Sequence, residues 1–305
     1  MIQSRRQSTH KQYQTYIVAW HVFCATTGVN PTSPTIPQVI DYLEHIRTTR
    51  SLGYSALNTA RSALSSILPL INAIPIGQHP LVKTYLRGAY NINPPAPRYS
   101  ETWDPEQLLR LLKQWSPPDT LSLQMLTFKL LALVLLVTGQ RIQTVSLLDL
   151  DFLFLNDSRA IFQIPGLLKQ SRPGYTNPTV VLSAYPNDNA LCVLTVLLEY
   201  IRRTEGLRSA ARALFVSFRK PHGPVTKQTL ARWMKSTMDM AHIDTSIYAP
   251  HSVRSASTSA ALRGGVPVQH ILDKAGWASR SVFARFYNRP TTSTNHFESA
   301  VLARM

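Results

Sequence analysis

The first ninety residues place apolar side chains at the three- and four-residue steps of amphipathic helices. Apolar and aromatic residues recur at this spacing from Tyr13 to Cys24, which predicts a helix that ends near Gly28. Three more helices are predicted, with the approximate bounds Pro37 to Thr49, Ser55 to Leu70 and Pro80 to Ala89. Helices without a strand signal predict a small helical domain over residues 1–91.

A proline-rich segment, NINPPAPRYS, follows these helices. Its closely spaced prolines disfavour helix and favour an extended, semi-rigid spacer. Residues 92–100 are therefore predicted to link two domains, and the second domain is predicted to span residues 101–305. An ordinary surface loop inside one domain is the alternative interpretation.

Beyond this segment the pattern is first helical and then typical of short strands. A helix is predicted from Trp103 to Gln114, and a second one, Leu121 to Val137, is apolar on most faces and is expected in the centre of a core. Three strands are predicted, at Leu150 to Leu155, Ala160 to Ile164 and Thr179 to Leu182. The loop before the third strand, LLKQSRPGYTNP, presents Lys169 and Arg172. This pattern predicts a small antiparallel sheet with a lysine near a hairpin tip.

Helical periodicity returns in the remainder of the chain. Two helices are predicted from Asn187 to Thr204 and from Thr226 to Ala241, and three shorter ones lie between Pro250 and Pro290. The predicted fold class is therefore mainly α with a small antiparallel β-sheet (α+β).

The charge of the chain indicates what such a fold would bind. Lysine and arginine number 32 against 16 aspartate and glutamate, which gives a formal net charge of +16. This excess predicts a polyanionic partner, either nucleic acid or an anionic membrane surface. The most apolar run, Leu121 to Val137, contains Gln124 and Lys129 and is shorter than the roughly 20 residues of a membrane-spanning helix. Nucleic acid is therefore the favoured partner.

Other classes of site are disfavoured by the motifs. The two cysteines, Cys24 and Cys192, are far apart, which argues for a reducing compartment and against a zinc finger. The histidines and acidic residues form no metal-spaced cluster, and no phosphate-binding loop of the G-x-x-x-x-G-K-[ST] type occurs. No apolar secretory signal is visible near the first residues. The sequence therefore predicts no cofactor.

Residues suited to phosphodiester chemistry concentrate near the end of the chain. His251 and Arg254 are three residues apart, so they share a helix face and could hold one anion. Trp277 follows a glycine, and Tyr287 lies in an arginine-rich segment. Taken singly, a tyrosine such as Tyr287 is more often a half-buried aromatic, and a histidine such as His251 is more often a helix-start residue.

Two candidates lie upstream of this stretch. Arg141 follows the apolar central helix in TGQR, and Lys169 lies in the predicted hairpin. An arginine at the edge of a core helix is more often a surface ion-pair partner, and a hairpin lysine is more often a solvated charge. A functional role for these two residues is supported only by the order of all the motifs in the chain.

Taken in order, the motifs resemble the tyrosine recombinase (phage integrase) family. They are T-G-Q-R with Arg141, the hairpin Lys169, H-x-x-R with His251 and Arg254, G-W with Trp277, and a helix-borne Tyr287. The resemblance covers nearly the whole chain, since residues 1–91 are similar to the family's SAM-like core-binding domain, which binds DNA. The phrases T-G-Q-R-x-Q-T and L-L-K-x-S-R-P-G look most like recombinases of eukaryotic mobile elements of the DIRS, Ngaro and Crypton kinds.

The resemblance implies a site-specific recombinase that cuts and rejoins DNA through a 3′-phosphotyrosyl intermediate. Tyr287 would be the nucleophile, and His251 would accept its proton or donate to the phosphate. Lys169 would protonate the leaving 5′ oxygen. Three further side chains would hold phosphate oxygens: Arg141, Arg254 and Trp277.

The resemblance also implies partners and requirements. Because a phosphotyrosyl bond conserves the energy of the phosphodiester, neither ATP nor a metal ion would be needed. Double-stranded DNA is the expected partner, bound by a homo-tetramer on paired sites, with no membrane partner. The tail contains a short apolar stretch, Phe297 to Leu302, that could dock on a neighbouring copy or on its own domain. The expected location is nuclear in a eukaryote and cytoplasmic otherwise.

Two positions depart from the family's pattern. The residue three places after the first arginine is commonly a carboxylate that steadies it, but it is Thr144 here, so Arg141 must be oriented by other groups. Tyr287 lies ten residues after Trp277, where many bacterial relatives have nine, and most of those relatives have histidine in place of this tryptophan. Two alternative functions stay open: a domesticated DNA-binding protein that no longer cleaves, and a relaxase like the type IB topoisomerases.

Overall fold

The structure of the chain is a computed structural model. It describes residues 6–96, 99–168, 171, 174, 177–277, 280–287 and 289–290. The chain separates into two compact units, Met1–Pro97 and Arg98–Met305. The division between them falls within the proline-rich segment.

The first unit consists of four helices around one core. They are α1 Gln7–Thr27, α2 Ile36–Thr49, α3 Tyr54–Leu64 and α4 Pro80–Ile92. Gly28 ends α1 with a φ of 72°, a left-handed conformation that glycine adopts without strain. Thr35 and Gln38 form a capping box that starts α2. The apolar faces meet around residues such as Trp20 and Tyr42, which are fully buried.

The prediction that the third helix continues to Leu70 is wrong, because α3 ends at Leu64. The hydroxyl of Ser66 donates to the carbonyl of Ala63, and the hydroxyl of Ser65 accepts the N–H of Gly77. Serine side chains that bond to the main chain compete with helical hydrogen bonds and favour turns. Leu70, the predicted end of the helix, lies beyond it and is exposed.

The core of the second unit surrounds one central helix. The larger helices of this unit are α5 Pro105–Gln114, α6 Leu123–Thr138, α8 Val193–Thr204 and α9 Lys227–Met240, and the single turn α7 Ile142–Val145 follows α6. Helix α6 is buried on nearly every face, from Leu126 to Leu135. The predicted position of this apolar helix in the centre of a core is thus confirmed.

A three-stranded antiparallel sheet packs against α6. Its strands are β1 Leu153–Asn156, β2 Arg159–Phe162 and β3 Val180–Ser183, in the order β1-β2-β3. Phe162 pairs with Val180, and both side chains are buried. The first strand begins later than predicted, because Leu150–Phe152 form a 3₁₀ turn that the Asp149 side chain caps. The predicted mainly α fold with one small antiparallel sheet is confirmed.

Three short helices complete the second unit. They are α10 Ser252–Arg263, α11 Val268–Ala275 and α12 Arg280–Phe286. The buried indole N–H of Trp103 donates to the hydroxyl of Ser252 at 2.8 Å, which fixes the start of α10. Gly276 ends α11 with a φ of 68° and turns the chain into Trp277.

Some sequence predictions lie outside the described residues. These are the hairpin residues Lys169 and Arg172 and the apolar tail stretch from Phe297 to Leu302. Within the described ranges, no helix is both long and apolar enough to cross a membrane.

Candidate active site

Helix α10 places its two candidate residues in opposite environments. Arg254 is 2% exposed, and its Nη1 donates to the carbonyl oxygen of Gly139 at 2.6 Å. His251 precedes the first residue of α10 and is exposed. The helix therefore carries a buried cation and, one turn away, an imidazole that solvent can reach.

The guanidinium of Arg254 is buried without full hydrogen bonding. Its Cζ lies 3.9 Å from the ring centroid of Trp277 and 5.4 Å from that of Tyr287. Its Nε and Nη2 have no hydrogen-bond partner among the described residues. Burial and, after it, the positive charge of Arg141 lower the pKa of Arg254 to about 9. Such a group gains most from a bound anion, which would restore both its charge balance and its hydrogen bonds.

The phenol of Tyr287 lies beside this guanidinium. Its hydroxyl is 3.1 Å from Nε2 of His251, which is hydrogen-bond distance for a proton transfer between the two groups. The ring centroids of Tyr287 and Trp277 are 4.5 Å apart. The ten-residue spacing from Trp277 to Tyr287 therefore brings the phenol to the two residues of the H-x-x-R pair.

Trp277 contributes a third unsatisfied nitrogen donor. The side chain is 8% exposed, and its Nε1 has no hydrogen-bond partner among the described residues. Two donors of Arg254 and one of Trp277 are thus buried next to the phenol. Three buried nitrogen donors without a partner among the described residues fit a ligand with several acceptor oxygens, such as a phosphate.

The motif TGQR joins the central helix to the other elements of the site. Gly139 ends α6 with a φ of 58°, and a Cβ at this position would lie 3.0 Å from Cγ2 of Thr258. Glycine therefore allows both the left-handed turn and the close approach of α10. The side chain of Gln140, which is 2% exposed, donates to the carbonyl of Lys274 on α11 at 2.8 Å. Arg141 follows directly, at the start of α7.

The structure brings most of the predicted site residues together. His251, Arg254, Trp277 and Tyr287 form one contact cluster. Arg141 is near enough for its charge to lower the pKa of Arg254, whereas Lys169 lies outside the described residues. Thr144, at the position of the expected carboxylate, is buried within α7.

Sequence reasoning missed three side chains that shape the site. Gln140 ties α11 to the end of α6, and its position next to Arg141 in TGQR was the available signal. The hydroxyls of Ser255 and Ser259 both donate to the main-chain carbonyl of Tyr287. Their spacing of one helical turn on the H-x-x-R helix was a signal, but their partner could not be read from the sequence.

The described ranges contain no set of side chains that would bind a metal ion. No group of three or more histidine, cysteine, aspartate or glutamate side chains that could hold a metal ion occurs there. Beside the phenol lie the guanidinium of Arg254 and the imidazole of His251, and the charge of Arg141 acts on Arg254.

Comparisons with known proteins identify relatives of this arrangement. The model of the phage integrase family matches residues 101–293. No curated protein matches the chain.

Several solved structures share the fold. The XerH site-specific recombinase bound to its difH substrate is 16% identical with a TM-score of 0.63, over 96% of this chain and 78% of that one. The Tn1549 transposon integrase in complex with transposon right end DNA is 14% identical with a TM-score of 0.58, over 89% and 85%. A lambda integrase tetramer bound to a Holliday junction is 14% identical with a TM-score of 0.52, over 95% and 74%.

Proposed function

The chain belongs to the phage integrase family of tyrosine recombinases, and we propose that it cuts and rejoins DNA strands through a 3′-phosphotyrosyl intermediate. The observation that carries this proposal is the position of one phenol. The hydroxyl of Tyr287 lies 3.1 Å from the imidazole of His251, beside the buried and incompletely hydrogen-bonded guanidinium of Arg254.

In the cleavage step, the phenolic oxygen of Tyr287 attacks the scissile phosphorus. A P–O bond to the tyrosine forms, the bond from phosphorus to the 5′ oxygen breaks, and the strand end that carries the 3′ phosphate stays on the protein. An ordinary phenol has a pKa of about 10, so its ionisation at neutral pH costs roughly 4 kcal/mol. His251 Nε2 is placed to accept the phenolic proton during the attack.

The leaving oxygen needs a proton of its own. We assign this role to Lys169, from its place in the family's motif order. The released 5′ hydroxyl, or that of another strand, then attacks the phosphotyrosyl bond and restores both the phosphodiester and the phenol. Because the energy of the broken bond is kept, this sequence of steps uses neither ATP nor a metal ion.

The donors around the phenol would stabilise the transition state. Charge increases on the non-bridging oxygens as the phosphorus becomes pentavalent, and donors that are already oriented toward these oxygens stabilise that state without reorganisation. Arg254 and Trp277 supply three buried nitrogen donors that have no other partner among the described residues. Arg141 would add a second guanidinium to the same phosphate.

The substrate of this reaction would be double-stranded DNA. The net charge of +16 suits a polyanion, and the similar XerH, Tn1549 and lambda recombinases are bound to a difH substrate, to transposon right end DNA and to a Holliday junction in their structures. By analogy with the lambda integrase tetramer on a Holliday junction, the active form would be a homo-tetramer on paired sites. From the motif phrases we assign the chain to a mobile element of the DIRS, Ngaro or Crypton kind, which would act in the nucleus.

A covalent-adduct assay tests the nucleophile. Nicked duplexes with a randomised core, which lose the short strand after cleavage, are expected to yield an SDS-stable protein–DNA adduct in the presence of EDTA. Tyr287→Phe is expected to abolish the adduct and to leave DNA binding intact, because only the attacking oxygen is removed. Tyr185→Phe, at an exposed tyrosine of the same unit, is the matched control and should form the adduct normally.

The outcomes separate the candidate functions. An adduct in the Tyr287→Phe variant would refute the assignment of the nucleophile. Binding without any adduct from the natural sequence would favour the domesticated DNA-binding protein. Relaxation of supercoiled plasmids that carry no paired sites, without recombination between two selected sites, would favour the relaxase.

A further inference from the structure

The main-chain carbonyl of Tyr287 receives two side-chain hydrogen bonds from α10. Ser259 Oγ donates to it at 2.5 Å, and Ser255 Oγ donates at 3.3 Å. The two serines are four residues apart, so they lie one above the other on the same helix face. Ser255 is 2% exposed and Ser259 is fully buried. Both hydroxyls are therefore committed to the segment that carries the phenol.

Ser259 also holds the chain on the other side of Tyr287. Its Oγ accepts the main-chain N–H of Arg289 at 3.1 Å. Arg263, one turn further along α10, donates from Nη1 to the carbonyl of Arg289 at 3.3 Å. Main-chain groups of Tyr287 and of Arg289 are thus both fastened to α10.

These bonds are not the usual ones for hydroxyl residues inside a helix. Ser257 and Thr258 show the ordinary behaviour, because each donates to the carbonyl of Arg254 in their own helix. Ser255 and Ser259 instead donate to a carbonyl that directly follows the last residue of α12. Carbonyls at a helix end lack a partner within the helix, and α10 supplies two.

We propose that Ser255 and Ser259 are positioning residues that set the place of the Tyr287 phenol relative to the scissile phosphate by holding its main-chain carbonyl. This proposal rests on the proposed function, since it takes Tyr287 as the nucleophile. Helix α10 also carries Arg254, which holds the phosphate, and begins next to His251, which receives the proton. One rigid element then fixes the distances among nucleophile, base and phosphate.

The kinetic test uses single-turnover adduct formation at saturating DNA. A displacement of the nucleophile by about 1 Å can cost about 100-fold in rate, so we expect about 10-fold slower cleavage in Ser255→Ala and in Ser259→Ala, and about 100-fold in the double variant. DNA affinity and the shape of the pH profile should stay unchanged, because no phosphate ligand or titrating group is altered. Ser257→Ala is the matched control and should cleave at the normal rate.

A second measurement does not depend on catalysis. Amide hydrogen exchange at Arg289 in the free protein should be about 10-fold faster in Ser259→Ala, since its acceptor is lost. It should be unchanged in Ser257→Ala. If Ser259→Ala fails to fold, Ser255→Ala tests the same carbonyl, and Ser259→Cys keeps the size with a weaker donor and should cleave at an intermediate rate.

The two readouts separate the possible failures. No adduct from the natural sequence would refute the proposed function, while faster exchange at Arg289 in Ser259→Ala would still support the positioning of this segment. A normal cleavage rate in the folded double variant would overturn the positioning role, whatever the exchange shows. Weaker DNA binding that accounts for the whole loss of rate would overturn it as well.

Discussion

Arg208 and Arg254 are the two buried arginines in the described part of the chain, and their surroundings differ. All three nitrogens of the Arg208 guanidinium donate hydrogen bonds, to Oγ1 of Thr204 and to the carbonyls of Ala213 and Leu214. In Arg254 one nitrogen donates to Gly139, and Nε and Nη2 have no partner among the described residues. Burial lowers the pKa of both.

The difference indicates what each arginine does. Taking a cation out of water costs free energy, and hydrogen bonds within the protein offset part of that cost. At Arg208 the carbonyls of a loop provide this compensation, so the side chain holds the loop in place. At Arg254 the hydrogen bonds from the protein offset the cost of burial only in part, and an anion between Arg254, Trp277 and Tyr287 would supply the missing acceptors. A buried cation with unused donors is therefore a better sign of a binding site than burial alone.

The largest expected difference between the two arginines is catalytic. Arg254→Lys should lower the rate of adduct formation by about 10²–10³, because a lysine cannot replace two guanidinium donors aimed at the developing charge. Arg208→Lys should leave that rate unchanged, provided that the variant is folded. Single-turnover cleavage on one DNA substrate measures both. Equal losses from the two substitutions would remove the distinction between a structural and a functional arginine.

The second expected difference is in stability, and it has the opposite order. Arg208→Met leaves two loop carbonyls and a threonine hydroxyl without their donor, so it should lower the free energy of unfolding by about 2 to 3 kcal/mol. Arg254→Met removes a cation whose burial is poorly compensated, so it should leave the free energy of unfolding unchanged or higher. Urea denaturation of the DNA-free protein measures both. A large loss of stability in Arg254→Met would show that this arginine is also structural.

Sequence periodicity was sufficient for most of the fold. The apolar stripe of α1 predicts a helix that packs against a core with one face. The apolar character of α6 on all faces predicts a helix inside a core. The end of α3 was not predictable, because apolar residues such as Ile67 continue the helical spacing. The helix stops because serine side chains bond to the main chain, in part to Gly77 on a distant turn.

The site was predictable as a set of residues but not as an environment. The motif order selected Arg254 and Tyr287, yet the sequence could not show that Arg254 is buried while His251, just before the same helix, is exposed. The burial of Arg254 depends on α6, because its guanidinium donates to the carbonyl of Gly139 at the end of α6, 115 residues away in the chain. The role of Ser259 depends on the carbonyl of Tyr287, 28 residues away. Long-range packing, which leaves no local pattern, decides such contacts.

Lys129 extends the comparison to a buried cation outside the site. It lies fully buried in α6, and its Nζ donates to the carbonyl of Trp115. Burial lowers the pKa of Lys129 to about 8. Like Arg254 it is poorly compensated, but it lies within the core cluster of the second unit rather than next to the phenol. If a buried cation with few hydrogen bonds indicates function only beside a binding site, substitution of Lys129 should change stability and leave catalysis unchanged.

The smallest effect expected is therefore a pH-dependent gain in stability from Lys129→Met. The folded pKa of about 8 lies below the unfolded value of about 10.4, so between these values the unfolded chain binds more protons and the lysine's contribution to stability rises with pH. Below pH 8 both states are protonated and the buried charge is a constant cost. Lys129→Met should thus raise the free energy of unfolding at pH 7 by about 1 to 3 kcal/mol, a gain that shrinks toward pH 10.

Urea denaturation of both proteins across this pH range isolates the difference, because the other titrating groups are shared. Because the Lys129 side chain is buried in α6 and bonds to Trp115, outside the cluster of site residues, cleavage should be unchanged. A loss of cleavage in a stabilised variant would show that a buried cation with few hydrogen bonds can contribute to function from within the core.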